Sequence, residues 1–171
     1  MIGPDYCRML ARYGAWQNAW LRDRLEAMPA EAATRDRGAF FGSLLGTANH
    51  VLWADRVWLA RLEGAEGPGG TIRESAQLCP SAADWGAARA EMDARLIVWA
   101  DGLEPTEVEG DLTWWSGAAG REVRRPRALC IVHMFNHATQ HRGQMHAMLT
   151  ASGVDTEDTD LFLMPEDWHR H

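Results

Sequence analysis

Apolar side chains return every three or four residues through four stretches of this chain, the rhythm of one face of an α-helix. The first stretch covers about residues 5–28, where Met9, Tyr13, Trp16, Trp20 and Leu21 keep that spacing. Asp5, after Pro4, is placed to cap its amino end, and Pro29 to stop it. A second helix is predicted over about residues 41–63, with Ser43 near its start and Gly67-Pro68-Gly69-Gly70 beyond its end. The third runs over about residues 82–102; Ser81 can cap it, and Asp84 suits its positive end. The fourth, about residues 126–152, opens on Pro126, and Gly153 can take the left-handed position that closes it.

Between the last two helices the pattern changes. "DLTWW", a glycine-rich break and "REVRR" predict a β-hairpin or an extended crossover. Four amphipathic helices with long connections predict an all-α fold, a four-helix bundle in which one or two connections cross over. The length of 171 residues fits a single domain, taken as 1–171. Near the end, "LFLM" is apolar enough to pack back onto the body, whereas His169 and His171 receive no role.

Composition narrows the classes. Apolar residues make up 46%, enough for a core, and the formal charge is −7. That charge speaks against nucleic acid as a partner, which would need a basic face. The one basic cluster, Arg121 to Arg127, is broken by Glu122 and Pro126 and is expected to be a solvated loop. Three cysteines, Cys7, Cys79 and Cys130, show no paired spacing, which favours a reducing interior. No secretory leader and no apolar run of membrane-spanning length is evident, so a cytoplasmic protein without a membrane partner is expected. Nine tryptophans are expected in the core or in pocket walls.

Candidate chemistry concentrates in "HMFNHATQHRGQMH", where His133, His137 and His141 stand four residues apart. Residues four apart on a helix lie about 6 Å apart along the axis and about 40° around it, so two such imidazoles can meet one ion. Residues eight apart, at about 12 Å and 80°, cannot. The site takes 133/137 or 137/141, and spacing leaves the choice open. At least one more ligand is needed. His50, the one histidine before residue 133, is the leading candidate; Cys130, Asp55 and Glu26 are alternatives.

"HMFNHATQHRGQMHAML" and "NHVLWADRVWLARL" resemble the signatures of the DinB-like family of metal-binding four-helix proteins, and "LTWWSGAAGREV" resembles its extended piece before the last helix. The resemblance spans about residues 5–150. It implies an up-down-down-up bundle, commonly a homodimer, with three histidines around one divalent ion. By resemblance the ligands fall on His50, His137 and His141, with zinc or nickel as the leading metals and iron as an alternative. Asp55 and Trp58 then match positions of structural role.

Three neutral imidazoles with a free coordination position suit catalysis rather than a closed structural site. Relatives with this bundle and triad include transferases and isomerases that use low-molecular-weight thiols such as mycothiol or bacillithiol. The resemblance therefore implies a metal-dependent enzyme that activates a thiol toward an electrophilic small-molecule substrate. The alternatives are a non-catalytic metal-binding stress-response protein and an interaction module. No side chain stands out as a general base. His133 or Asp55 can orient a ligand imidazole, and Gln144 can hydrogen-bond a ligand or substrate. Arg142 is expected in a salt bridge, Gly143 at a close helix–helix approach, and His146 in a structural role. Trp53 and Trp58 are expected in the core, Trp114 and Trp115 beside a substrate cleft.

Overall fold

The computed structural model describes residues 2–169, the side chain of His169 excepted; His171, given no role above, lies outside them. The molecule is mostly helical with one small two-stranded sheet. The helices are α1 (Pro4–Ala27), the short α2 (Ala30–Thr34), α3 (Leu44–Glu63), α4 (Ala82–Asp101), α5 (Arg127–Thr150) and the short α6 (Glu166–His169). The sheet pairs β1 (Asp111–Ser116) antiparallel with β2 (Arg121–Pro126) in a hairpin, with Trp114 opposite Val123. Among the described residues no helix is long and apolar enough to cross a membrane.

The helix ends follow local chemistry. Gly3, not Asp5, is the residue before α1, because Pro4 fits the first helical position, where its missing N–H costs nothing. Asp5 sits in the first turn instead and pairs with Arg8 at 2.8 Å. The Ser43 and Ser81 hydroxyls accept from the Gly46 and Asp84 amides, at 3.0 and 3.1 Å. α3 therefore begins three residues later than the pattern predicts. Gly42, at φ +75°, belongs to the turn before it. After α5, Gly153 takes φ +73°, and the Val154 amide reaches back to Leu149 O at 3.2 Å.

α1 lies along α4 and α3 along α5; α3 also meets α4, and α1 meets α5. One apolar core fills the space between them, built on Leu21, Leu25, Leu44, Leu52, Leu59, Trp85, Ile131, Met134, Met145 and Leu149. The predicted stripe of α1 is buried only in part: Trp20 and Leu21 lie in the core. Met9 is exposed and Tyr13 and Trp16 are half-buried, while Cys7, Ala11, Leu21 and Leu25 point inward. Small residues on that face let the helices approach, and Tyr13 and Trp16 are left for the flank while Trp20 packs into the core.

The chain after α5 is bonded onto that flank. Tyr13 Oη donates to Thr159 O at 2.6 Å, and Gln17 Nε2 to Asp158 O at 3.1 Å. Of "LFLM" only Met164 is buried; Leu161, Phe162 and Leu163 are exposed, so that expectation holds for one residue of four. The arginine cluster is not a loop. Arg121, Arg124 and Arg125 lie exposed on β2, and Arg127 opens α5 with a hydrogen bond from its guanidinium to Leu62 O.

Candidate metal centre

His50 stands in the second turn of α3, and His137 and His141 stand one turn apart on α5, which packs alongside. The packing brings the three rings together, with centroids 5.0 Å (50–137), 4.9 Å (50–141) and 4.5 Å (137–141) apart. One ligand nitrogen from each lies within 4.8 Å of the others, and the three form a group able to hold a metal ion. Nε2 of His50 is 3.1 Å from Nε2 of His137. Two nitrogens on one tetrahedral ion at about 2.0–2.1 Å sit roughly 3.3 Å apart, so the donor set fits a divalent cation.

Hydrogen bonds settle which nitrogen two of the rings present. Ser75 Oγ donates its proton to Ile72 O at 2.6 Å, so toward His50 it can only accept. The 2.9 Å contact between His50 Nδ1 and Ser75 Oγ therefore puts the proton on Nδ1 and leaves Nε2 a free lone pair. His141 Nδ1 donates likewise to Gln144 Oε1 at 2.8 Å. Both lone pairs suit a cation. Asn49, beside His50, fixes Ser75 in place: its Nδ2 donates to Ala76 O and Cys79 O, and its Oδ1 accepts from the Cys79 amide.

Phe41 closes one side. Its ring stacks on His50 at 3.8 Å and meets the edge of His141 at 5.5 Å. A Cβ at Gly46 would collide with the Phe41 carbonyl oxygen, so glycine there lets the preceding turn fold down onto the imidazoles. Burial lowers the His50 pKa to about 3, helped by repulsion from His137 and His141. Burial and its two neighbours on α5 lower that of His137 to about 4. Both rings are neutral near pH 7, the state a metal ligand requires.

On the other side the site opens. A cavity of about 730 Å³ reaches His50 and His137 and is walled by Trp53, Trp58, Trp114 and Trp115. Trp53 and Trp58 are thus pocket wall, Trp58 also packing against the core as expected, while Trp114 and Trp115 flank the cleft as expected. His133 stays out of the trio. It lies one turn away along the cavity, its ring 5.6 Å from that of His137 and 5.0 Å from the edge of Trp58.

The other candidates are elsewhere. Asp55 orients no imidazole; it is buried and bonded to Arg89 at 2.6 Å, where burial pushes its carboxyl up and Arg89 pulls it back. Cys130 is in the core, and Glu26 lies against Gly86 of α4. Arg142 forms no salt bridge among the described residues. It donates to Thr139 Oγ1 at 3.1 Å and stacks 5.6 Å from the Tyr13 ring. Gly143 faces open space, since the helical period carries it to the outer side of α5. His146 meets Trp20 and the Glu157 carbonyl, a structural role. Sequence reasoning missed Ser75 and Phe41. Neither stands at a ligand-like spacing.

The model of the DinB family matches residues 4–169. A relative, the protein DinB of Bacillus subtilis (strain 168), is 22% identical over 172 aligned positions, which cover 93% of each chain. A family match over nearly the whole length and a histidine trio on two adjacent helices lead to one conclusion: this chain is a member of the DinB family.

Proposed function

We propose that this protein is a metal-dependent enzyme that activates a low-molecular-weight thiol for transfer to an electrophilic small molecule. One observation carries the reading: the trio consists of histidines alone and borders an aromatic-walled cavity. Three neutral donors with an accessible side are the arrangement of catalytic rather than structural sites. His50, His137 and His141 hold the ion, zinc or nickel before iron. Ser75 and Gln144 orient two of the rings, and Phe41 keeps water from their far side. A bound divalent ion supplies Lewis acidity that lowers the pKa of a thiol or water at its free position. The tryptophan walls exclude solvent from the electrophile.

The same reading takes the contacts of α1 with α4, α4 with α3, and α3 with α5 as an up-down-down-up four-helix bundle in one domain. It also takes the protein as a cytoplasmic homodimer. The alternative is a non-catalytic metal-binding stress-response protein. Cobalt substitution followed by addition of cysteine or 2-mercaptoethanol separates the two. A sulfur-to-cobalt charge-transfer band is the expected result. A fully loaded protein whose spectrum ignores both thiols would leave the non-catalytic reading standing.

A further inference from the structure

The cavity beside the trio has a charge pattern unlike the rest of the chain. The sequence holds 24 acidic residues, none of which lines the cavity, whereas Arg61 and Arg73 both do. Arg61 is the better placed of the two. Its guanidinium carbon lies 4.7 Å above the Trp58 ring and 5.4 Å from that of Trp114. It has no ion pair among the described residues, and none of its nitrogens is a buried orphan, so its N–H groups face open space. A guanidinium stacked by its face on indole still offers its in-plane fork of donors, which matches a carboxylate in bidentate fashion.

We propose that Arg61 anchors the carboxylate of an elongated organic acid that lies along the tryptophan wall, with its reactive end at the histidines. Position follows from the helix. Arg61 is eleven residues beyond His50 on α3, about three turns and roughly 16 Å along the same face. Trp53 and Trp58 stand between them, so the middle of the ligand meets aromatic surface and is apolar or planar. His133, in contact with Trp58, borders the same path. A bare phosphate fits less well, because one guanidinium among indoles offers too few donors to replace its hydration.

The placement of the reactive end rests on the metal reading above; the anchoring of the carboxylate does not, and metal-free protein can test it. Binding of 3-phenylpropionate and of its neutral amide is measured by tryptophan fluorescence on metal-free wild type, Arg61→Gln, Arg61→Lys and Arg73→Gln. Wild type is expected to prefer the carboxylate by about tenfold or more. Arg61→Gln removes the preference while still binding the amide, Arg61→Lys keeps part of it, and Arg73→Gln keeps it all. Equal binding of acid and amide by wild type overturns the proposal, as does a preference that survives Arg61→Gln or vanishes with Arg73→Gln. Metal content of Arg61→Gln and wild type is measured alongside. Failure of wild type to take metal sinks the enzyme reading and leaves the carboxylate anchor to be judged on the fluorescence alone.

Discussion

Ser75 and Gln144 decide which nitrogen two of the imidazoles offer, though neither is itself a ligand candidate. Ser75→Ala and Gln144→Leu are each expected to weaken metal binding by about 10–100-fold without changing the stoichiometry at saturation. Competition against a chromophoric chelator measures this; unchanged affinity in both variants would mean that packing alone orients the rings. Gln144 was legible in the sequence because it stands within one turn of His141. Ser75 was not, since Asn49 brings it to His50 across 25 positions of chain. Gly143 shows the opposite case. Its place on the ligand helix suggested a close approach, yet a Cβ there meets nothing within 4 Å. Gly143→Ala is therefore expected to stabilise the protein by about 0.5–1 kcal/mol, raising Tm by about 1–4 °C. A lower Tm in thermal melts would reveal a packing role for this position.

At the scale of elements, α3 holds the molecule together by serving several partners at once. His50 faces α5, Asn49 binds the 3-10 turn at Glu74–Gln77, and Asp55 pairs with Arg89 of α4. Arg89 is fully buried and also pairs with Asp93 at 2.9 Å, which accepts from Asn18 of α1 at 2.8 Å. Asp55→Ala leaves that guanidinium in the core with half its compensation. A loss of about 3–5 kcal/mol in denaturant unfolding is expected, and a loss below about 1 kcal/mol would contradict the account. The four long helices were legible because an apolar period coincided with local signals, the serine caps of α3 and α4 and the proline before α5. The inward face of α1 was legible only in part: Trp20 and Leu21 lie on it as read, but alanines and Cys7 complete it while Tyr13 and Trp16 sit on the flank. The hairpin was read from its glycine break, but its role as a cavity wall depends on tertiary packing that periodicity cannot express.

Across the whole molecule, the trio couples protonation to stability. His50 and His137 titrate in the folded protein at about 3 and about 4, below the ordinary 6.5. Between those values the unfolded chain binds more protons than the folded one, so stability falls as pH drops. Metal-free protein is expected to keep a constant Tm above about pH 7 and to lose it progressively below about pH 6.5. His50→Phe should flatten the slope between about pH 6.5 and 5, and an equal slope in variant and wild type would contradict these shifts. Spacing alone made only His137 a certain member of the trio, His50 stood out as the one histidine before residue 133, and resemblance chose His141 over His133. Of the cleft, Trp114 and Trp115 were legible, while the wall that α3 and the Gly67–Arg73 segment add was not. The central claim is that His50, His137 and His141 hold one divalent ion and His133 does not. Metal analysis of purified His137→Ala and His133→Ala against wild type tests it most directly. One equivalent in wild type, none in His137→Ala and nearly one in His133→Ala is the predicted result. Equal loss in both variants, or metal retained without His137, would contradict it.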